Sequence, residues 1–291
     1  MKLGFVTYQI GKDWSVPEII EKCRATGFEG VELRTTHAHG VESTLNAEER
    51  AAIRKQFEDG CVEIAGIGSA FEYHSADKSE VRENIAGTIE CAKLASDLGC
   101  PGVKVRPNGL QLDKGIPEEQ TLEQIGLSLR ECGEAAADQG VAIRVEVHGR
   151  DTKEPAKMRT IMDHADHDNV FFCWNSNFDE VGDDGTIQEA WDLMGHKIGL
   201  VHITELCKTE YPWRELFSKL KGIGYDGYTL AEIPGSDDPE RLMQAGPRSP
   251  KPTYRRMSSL GQRWPGHASR NTRIPISLGC STPHSVVHTS R

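Results

Sequence analysis

Residues 141–148 read VAIRVEVH. Val141, Ile143, Val145 and Val147 occupy one face, while Arg144, Glu146 and His148 share the other with Ala142. β-Branched residues at every second position mark a strand. A strand of a doubly wound sheet is covered on both sides and reads as a continuous apolar run, which this one does not. A cation, a carboxylate and an imidazole on the second face fit a strand that looks into a barrel lumen.

The pattern extends along the chain. Short apolar runs occur at KLGFVTY (2–8), GVELR (30–34), VEIAGIG (62–68), GVKVR (102–106), VAIRVEVH (141–148), VFFCWN (170–175), IGLVHIT (198–204) and YTLAEIP (228–234). They start roughly 30 to 40 residues apart, with segments of helical periodicity between them. Before the second run, Ser15 can cap a helix, Pro17 suits its first turn, Ile19, Ile20 and Cys23 form its apolar stripe, and Gly27 ends it. Three helix–strand joints repeat one design: ATGFEGVEL (25–33), DLGCPGVKV (97–105) and GIGYDGYTL (222–230). Eight strand–helix units predict an α/β fold of the (βα)₈ TIM barrel type over residues 1–244.

Asp238 and Pro239 begin an eighth helix that meets Gly246, Pro247, Pro250 and Pro252. Residues 245–291 hold eight Lys or Arg, six prolines, eight serines and no acidic residue. We expect a truncated eighth helix and a basic, Pro/Ser-rich tail that is disordered or aberrant. The formal charge of −10 is therefore concentrated as acid in the barrel, which argues against a nucleic-acid partner. No long apolar run suggests a membrane span or a signal peptide, and eight scattered cysteines without a Cys-x-x-Cys pair fit free thiols. The expected setting is the cytoplasm, with no membrane partner.

Strand parity separates outer from inner residues. Val31, Leu33, Val103, Val105, Phe172, Trp174, Val201, Ile203, Ala231 and Ile233 fall outward; Glu32, Arg34, Lys104, Arg106, Cys173, Asn175, His202, Thr204 and Glu232 fall inward. The inward polar residues lie near the C-terminal strand ends, where barrel active sites are built. Buried carboxylates need partners or a metal. Glu146, Asn175, His202 and Glu232 form a candidate oxygen-and-nitrogen ligand set suited to Mn²⁺, Mg²⁺, Co²⁺ or Zn²⁺. The competing reading of Glu146 is an ion pair with Arg144 or Arg34.

At this point the chain resembles the xylose isomerase-like superfamily of sugar (phosphate) isomerases and epimerases. The resemblance rests on GFEGVEL, VEVHG, CWNSN, VHITEL and GYDGYTLAEIP in that order, and runs from Met1 to about Gln244. It implies that Glu146 and Glu232 are metal ligands that also exchange a proton next to a carbonyl, through a cis-enediol(ate), and that His202 is the histidine ligand. The superfamily offers an aspartate where this chain has Asn175, with Asn177 as an alternative if the register differs. His148 can orient Glu146 or meet a substrate hydroxyl. Arg106 and the following Asn108 can bind a carboxylate or phosphate, and His74, like His37 and His39, lies in a loop overlooking the site. Arg144, one layer deeper, is expected to pair with Glu32 or Glu146.

The implied activity is a metal-dependent sugar or sugar-acid isomerase or epimerase acting on a small-molecule sugar or polyol, with a homo-oligomer as an open expectation. An inosose-type dehydratase is a variant of the same chemistry. A barrel that binds a sugar without turning it over is the rival, motivated by Asn175. An endonuclease IV-like nuclease would need more inward histidines and acids than the strands supply.

Overall fold

The computed structural model describes residues 1–245. The expected tail of residues 245–291 lies outside them, apart from Ala245 at a helix end. The strands are β1 (Lys2–Val6), β2 (Gly30–Arg34), β3 (Glu63–Glu72), β4 (Gly102–Arg106), β5 (Ala142–Glu146), β6 (Val170–Asn175), β7 (Ile198–Ile203) and β8 (Tyr228–Ala231). They alternate with α1 (Val16–Thr26), α2 (Ala47–Gly60), α3 (Lys78–Asp97), α4 (Glu118–Ala137), α5 (Pro155–Ala165), α6 (Gln188–Met194), α7 (Trp213–Gly222) and α8 (Pro239–Ala245). All eight strands are parallel and close in chain order, β1 pairing with both β2 and β8. This is a TIM barrel. No described helix is long and apolar enough to cross a membrane.

Local chemistry sets the element ends. The Ser15 backbone N–H and hydroxyl both donate to Glu18 Oε2 at 2.7 Å, closing the first turn of α1. Gly27 ends that helix at φ +81°, with its N–H on Cys23 O. Asp238 Oδ1 accepts from Arg241 N at the start of α8.

The parity reading holds. Val31, Leu33, Val103, Val105, Ile143, Val145, Phe172, Trp174, Val201 and Ile203 belong to the apolar layer between strands and helices. Trp174, fully buried, reaches the Trp191 ring of α6 at 5.8 Å. A second, smaller cluster of Val6, Ala65, Cys173, Leu200, Tyr228 and Leu230 fills the lumen below the polar residues. Each such fully buried Val or Leu contributes roughly 1.5–3 kcal/mol, so the lumen floor is a packed core and the polar groups stand on it.

Glycines on β3 make room for the charges. A Cβ at Gly68 would stand 2.6 Å from Glu32 Oε1, so the neighbouring strand has to be bare for Glu32 to lie across it. A register shift in the β2–β3 pairing, opposite Val31 and Glu32, brings Gly66 and Gly68 level with Glu32 and Arg34.

Candidate metal centre and active site

The site is built from the strand ends inward. Asn175 of β6 and His202 of β7 are register partners, so their side chains enter the lumen side by side. Glu146 ends β5, and Glu232 follows β8, where its N–H still donates to Ile203 O at 2.8 Å. One ligand atom from each of Glu146, His202 and Glu232 lies within 4.8 Å of the others.

His202 organises the cluster. Its Nε2 is 3.2 Å from Glu32 Oε2, and both side chains are almost wholly buried. Its Nδ1 is buried without a hydrogen-bond partner, and faces Glu232 Oε2 at 3.5 Å and Glu146 Oε1 at 3.6 Å. A carboxylate on one ring nitrogen fixes which nitrogen keeps its lone pair for a metal. Burial alone would lower the pKa of His202, but Cys173, Glu32 and Glu146 around it carry it well above the ordinary imidazole value.

Glu146 is the most heavily partnered carboxylate. Lys104 Nζ donates to its Oε2 at 2.7 Å, and Asn175 Nδ2 donates to its Oε1 at 2.9 Å. Burial would raise its pKa, but the Lys104 and His202 charges outweigh that and hold it well below the usual carboxylate range. The same carboxylates keep Lys104 protonated against its own burial. Glu232 differs: its side chain is 21 % exposed and lines an open cavity of about 580 Å³.

That cavity is also lined by Asn108, His148, Asn175, Asn177 and Thr204. Gly149 adopts φ +98° and lies so close to the β4 loop that a Cβ would stand 1.9 Å from Asn108 O. This contact joins the two loops: His148 Nδ1 lies 3.2 Å from Asn108 Oδ1, and the Thr152 hydroxyl donates to Asn108 O. Burial lowers the pKa of His148, only partly opposed by Glu146.

The four ligand candidates and His148 with Asn108 thus come together. Arg106 and His74 are drawn instead toward Glu72, Arg106 Nη2 at 2.5 Å from Oε1 and His74 Nδ1 at 3.6 Å from Oε2. The expected Arg144 pairing needs correction. Arg144 donates from Nη1 to Ala65 O at 2.8 Å and forms no ion pair among the described residues. It lies a layer too deep, over Gly102, and the carboxylates above it are already taken by His202 and Lys104. Neither Arg144 nor Arg34 is the cation on Glu146. Lys104 is, and sequence parity marked it only as inward-facing. A buried carboxyl outside the strands also escaped notice: Glu180 accepts from Tyr211 Oη at 2.5 Å.

A family model of the xylose isomerase-like TIM barrel matches residues 20–252. The chain belongs to this family. Solved structures of the same fold include D-psicose 3-epimerase from Clostridium cellulolyticum H10 with D-tagatose, at 18 % identity and a TM-score of 0.70, covering 84 % of this chain and 96 % of that one. The 3-keto-D-glucoside 4-epimerase of E. coli superposes at 15 % identity and a TM-score of 0.69, over 84 % and 97 % of the two chains. The IOLI protein, with a bound zinc atom, does so at 19 % identity and a TM-score of 0.66, over 84 % and 95 %. At its strand ends this chain brings Glu146, His202 and Glu232 together and has asparagine at 175.

Proposed function

We propose that the protein is a metal-dependent sugar or sugar-acid isomerase or epimerase. The observation that carries this reading is His202, whose Nε2 is committed to Glu32 while its buried, unpartnered Nδ1 faces Glu146 and Glu232. Glu146, His202 and Glu232, with the Asn175 amide oxygen, would hold Mn²⁺, Mg²⁺, Co²⁺ or Zn²⁺; a donor set of oxygens and one imidazole suits these ions. The superposable epimerases of psicose and a keto-glucoside, and the zinc in the IOLI protein, support the same chemistry.

When bound, such a cation polarises a carbonyl and its neighbouring hydroxyl and so acidifies the proton on the adjoining carbon. Glu232 borders the cavity and would take that proton, leaving a cis-enediol(ate). Glu146, held between Lys104 and Asn175, would return a proton only after taking one up from solvent, and Lys104 opposes this by keeping it ionised. Asn108 and His148 line the wall against which sugar hydroxyls would rest. The buried thiols of Cys23, Cys91, Cys100, Cys132 and Cys173 fit a reducing cytoplasmic setting.

One observation favours the rival reading, a barrel that binds a sugar without turning it over. Lys104 and Asn175 already satisfy Glu146, so the cluster is stable without a cation. Calorimetric titration of Mn²⁺ into the full-length chain separates the two. Stoichiometric binding lost in His202→Ala supports the enzyme; no binding at millimolar Mn²⁺ by folded protein refutes the metal-dependent reading.

A further inference from the structure

Two side chains of the cavity wall, Asn108 and His148, are held by an arrangement that serves no proposed metal ligand. Asn108 follows β4 and His148 follows β5; both are half-buried and line the cavity together with Asn175 and Glu232. Asn108 sits at φ +69°, a left-handed backbone that few residues other than glycine and asparagine adopt readily. The wholly buried Thr152 shares its hydroxyl between the two backbones, 2.8 Å from His148 O and 3.0 Å from Asn108 O. Gly149 completes the joint, since any side chain there would collide with Asn108 O.

These contacts of Thr152 and Gly149 already join the two loops. The side chains of Asn108 and His148 add a further bond, with His148 Nδ1 3.2 Å from Asn108 Oδ1. An amide oxygen only accepts, so Nδ1 carries the hydrogen, and in the neutral ring Nε2 keeps its lone pair. Among the described residues Nε2 has no hydrogen-bond partner, and unlike His202 Nδ1 it is not sealed from solvent. The same holds for Asn108 Nδ2, a donor on the other side of the shared bond. The His148 ring makes no hydrogen bond to Glu146; Asn108 orients it instead.

We propose that His148 and Asn108 form a hydroxyl-reading pair that determines which sugar configuration the cavity accepts. His148 Nε2 accepts the hydrogen of one substrate hydroxyl, and Asn108 Nδ2 donates to the oxygen beside it. A free acceptor next to a free donor matches two neighbouring hydroxyls of a polyol. An epimer with one of them turned away leaves one of the pair desolvated and unpartnered, which lowers affinity about tenfold or more. The inference deepens the isomerase/epimerase reading and rests on it only for the bound sugar being a substrate.

Two measurements on the full-length protein test the pair. Nitrogen NMR at pH 8 is expected to find the His148 hydrogen on Nδ1 and to lose that signature in Asn108→Leu; a hydrogen on Nε2 in the wild type overturns the proposal. Calorimetry then compares D-mannitol, D-glucitol, galactitol and allitol, which present sugar hydroxyls without a carbonyl to react, with and without Mn²⁺. One hexitol should bind about tenfold or more tighter than the weakest. His148→Phe and Asn108→Leu should each level that preference, whereas His148→Gln, whose amide oxygen can stand in for Nε2, should keep part of it. The preference is a ratio within one protein, so a change in Mn²⁺ affinity cancels from it. Equal binding of all four, no binding of any, or a preference unchanged in both His148→Phe and Asn108→Leu overturns the pair, and Mn²⁺ binding in that protein would leave the epimerase reading standing. A preference that both variants level, in a protein that fails to bind Mn²⁺, keeps the pair and refutes the metal-dependent reading.

Discussion

Lys104 Nζ stands 2.7 Å from Glu146 Oε2, and the two side chains are 7 % and 3 % exposed. A buried carboxylate with a fixed counter-cation is oriented before any metal arrives. Removing one member of such a pair leaves the other charged and desolvated, which typically costs roughly 3–5 kcal/mol. Lys104→Met is expected to lose about that much stability in metal-free protein. Mn²⁺ should recover part of it, because the cation takes over the charge of Lys104. Urea unfolding with and without Mn²⁺ measures both, and a variant as stable as wild type contradicts the role of the pair.

Asn175 contributes in the opposite sense. Its Nδ2 donates to Glu146 Oε1, and an aspartate there would set a second carboxylate oxygen against the first. Asn175→Asp is expected to lower the melting temperature of metal-free protein and to bind Mn²⁺ at least tenfold more tightly, by roughly 1.4 kcal/mol or more. Unchanged Mn²⁺ affinity in calorimetry would show that residue 175 does not face the cation.

Glu32 holds His202 Nε2 at 3.2 Å and would act through it on the proposed metal position. Glu32→Gln keeps an acceptor for Nε2 and removes the charge that strengthens the ring as a ligand. Loss of such an outer partner lowers metal affinity about 10- to 100-fold. Equilibrium dialysis should show that fall without loss of the folded circular-dichroism spectrum.

Glu180 gives a pH signature away from the metal position. Burial pushes its carboxyl up to about 7, against the hydrogen bond from Tyr211 that lowers it. The folded protein therefore holds this proton over a range, from about pH 4.5 to about 7, in which the unfolded chain has released it. Stability from this group is fully present below about pH 4.5 and is lost as the pH rises toward 7. The loss amounts to about 3 kcal/mol. Glu180→Gln should flatten this window and be the more stable protein at pH 8. Parallel melting curves for the two proteins between pH 4.5 and 8 would contradict the assignment.

Much of this was legible in the chain. VAIRVEVH and its counterparts show their faces because outward residues meet helices and inward ones meet polar neighbours, and a period of two exposes that difference directly. The four ligand candidates follow from it. What stayed hidden depends on relations between strands. That Lys104, not Arg144, reaches Glu146 depends on side-chain depth across the β4–β5 pairing, where Lys104 and Arg144 are register partners that take different layers. The pairing of Arg106 with Glu72 follows from a register irregularity in β3–β4 that no local pattern announces. Glu180 lies in a loop, where strand periodicity says nothing of burial.

On the proposed function, Glu232 moves a proton next to a sugar carbonyl at a cation-dependent centre. The direct measurement is mass-spectrometric detection of solvent deuterium entering a panel of ketoses and keto-acids, neutral and anionic, with the Mn²⁺-loaded full-length protein. Uptake of one deuterium is expected for at least one of them, faster than its epimer accumulates because Lys104 keeps Glu146 ionised and without a proton to give, and it should vanish with chelator and in Glu232→Gln. Stoichiometric Mn²⁺ binding with no uptake in any member of the panel, or uptake that persists in Glu232→Gln, would contradict the account.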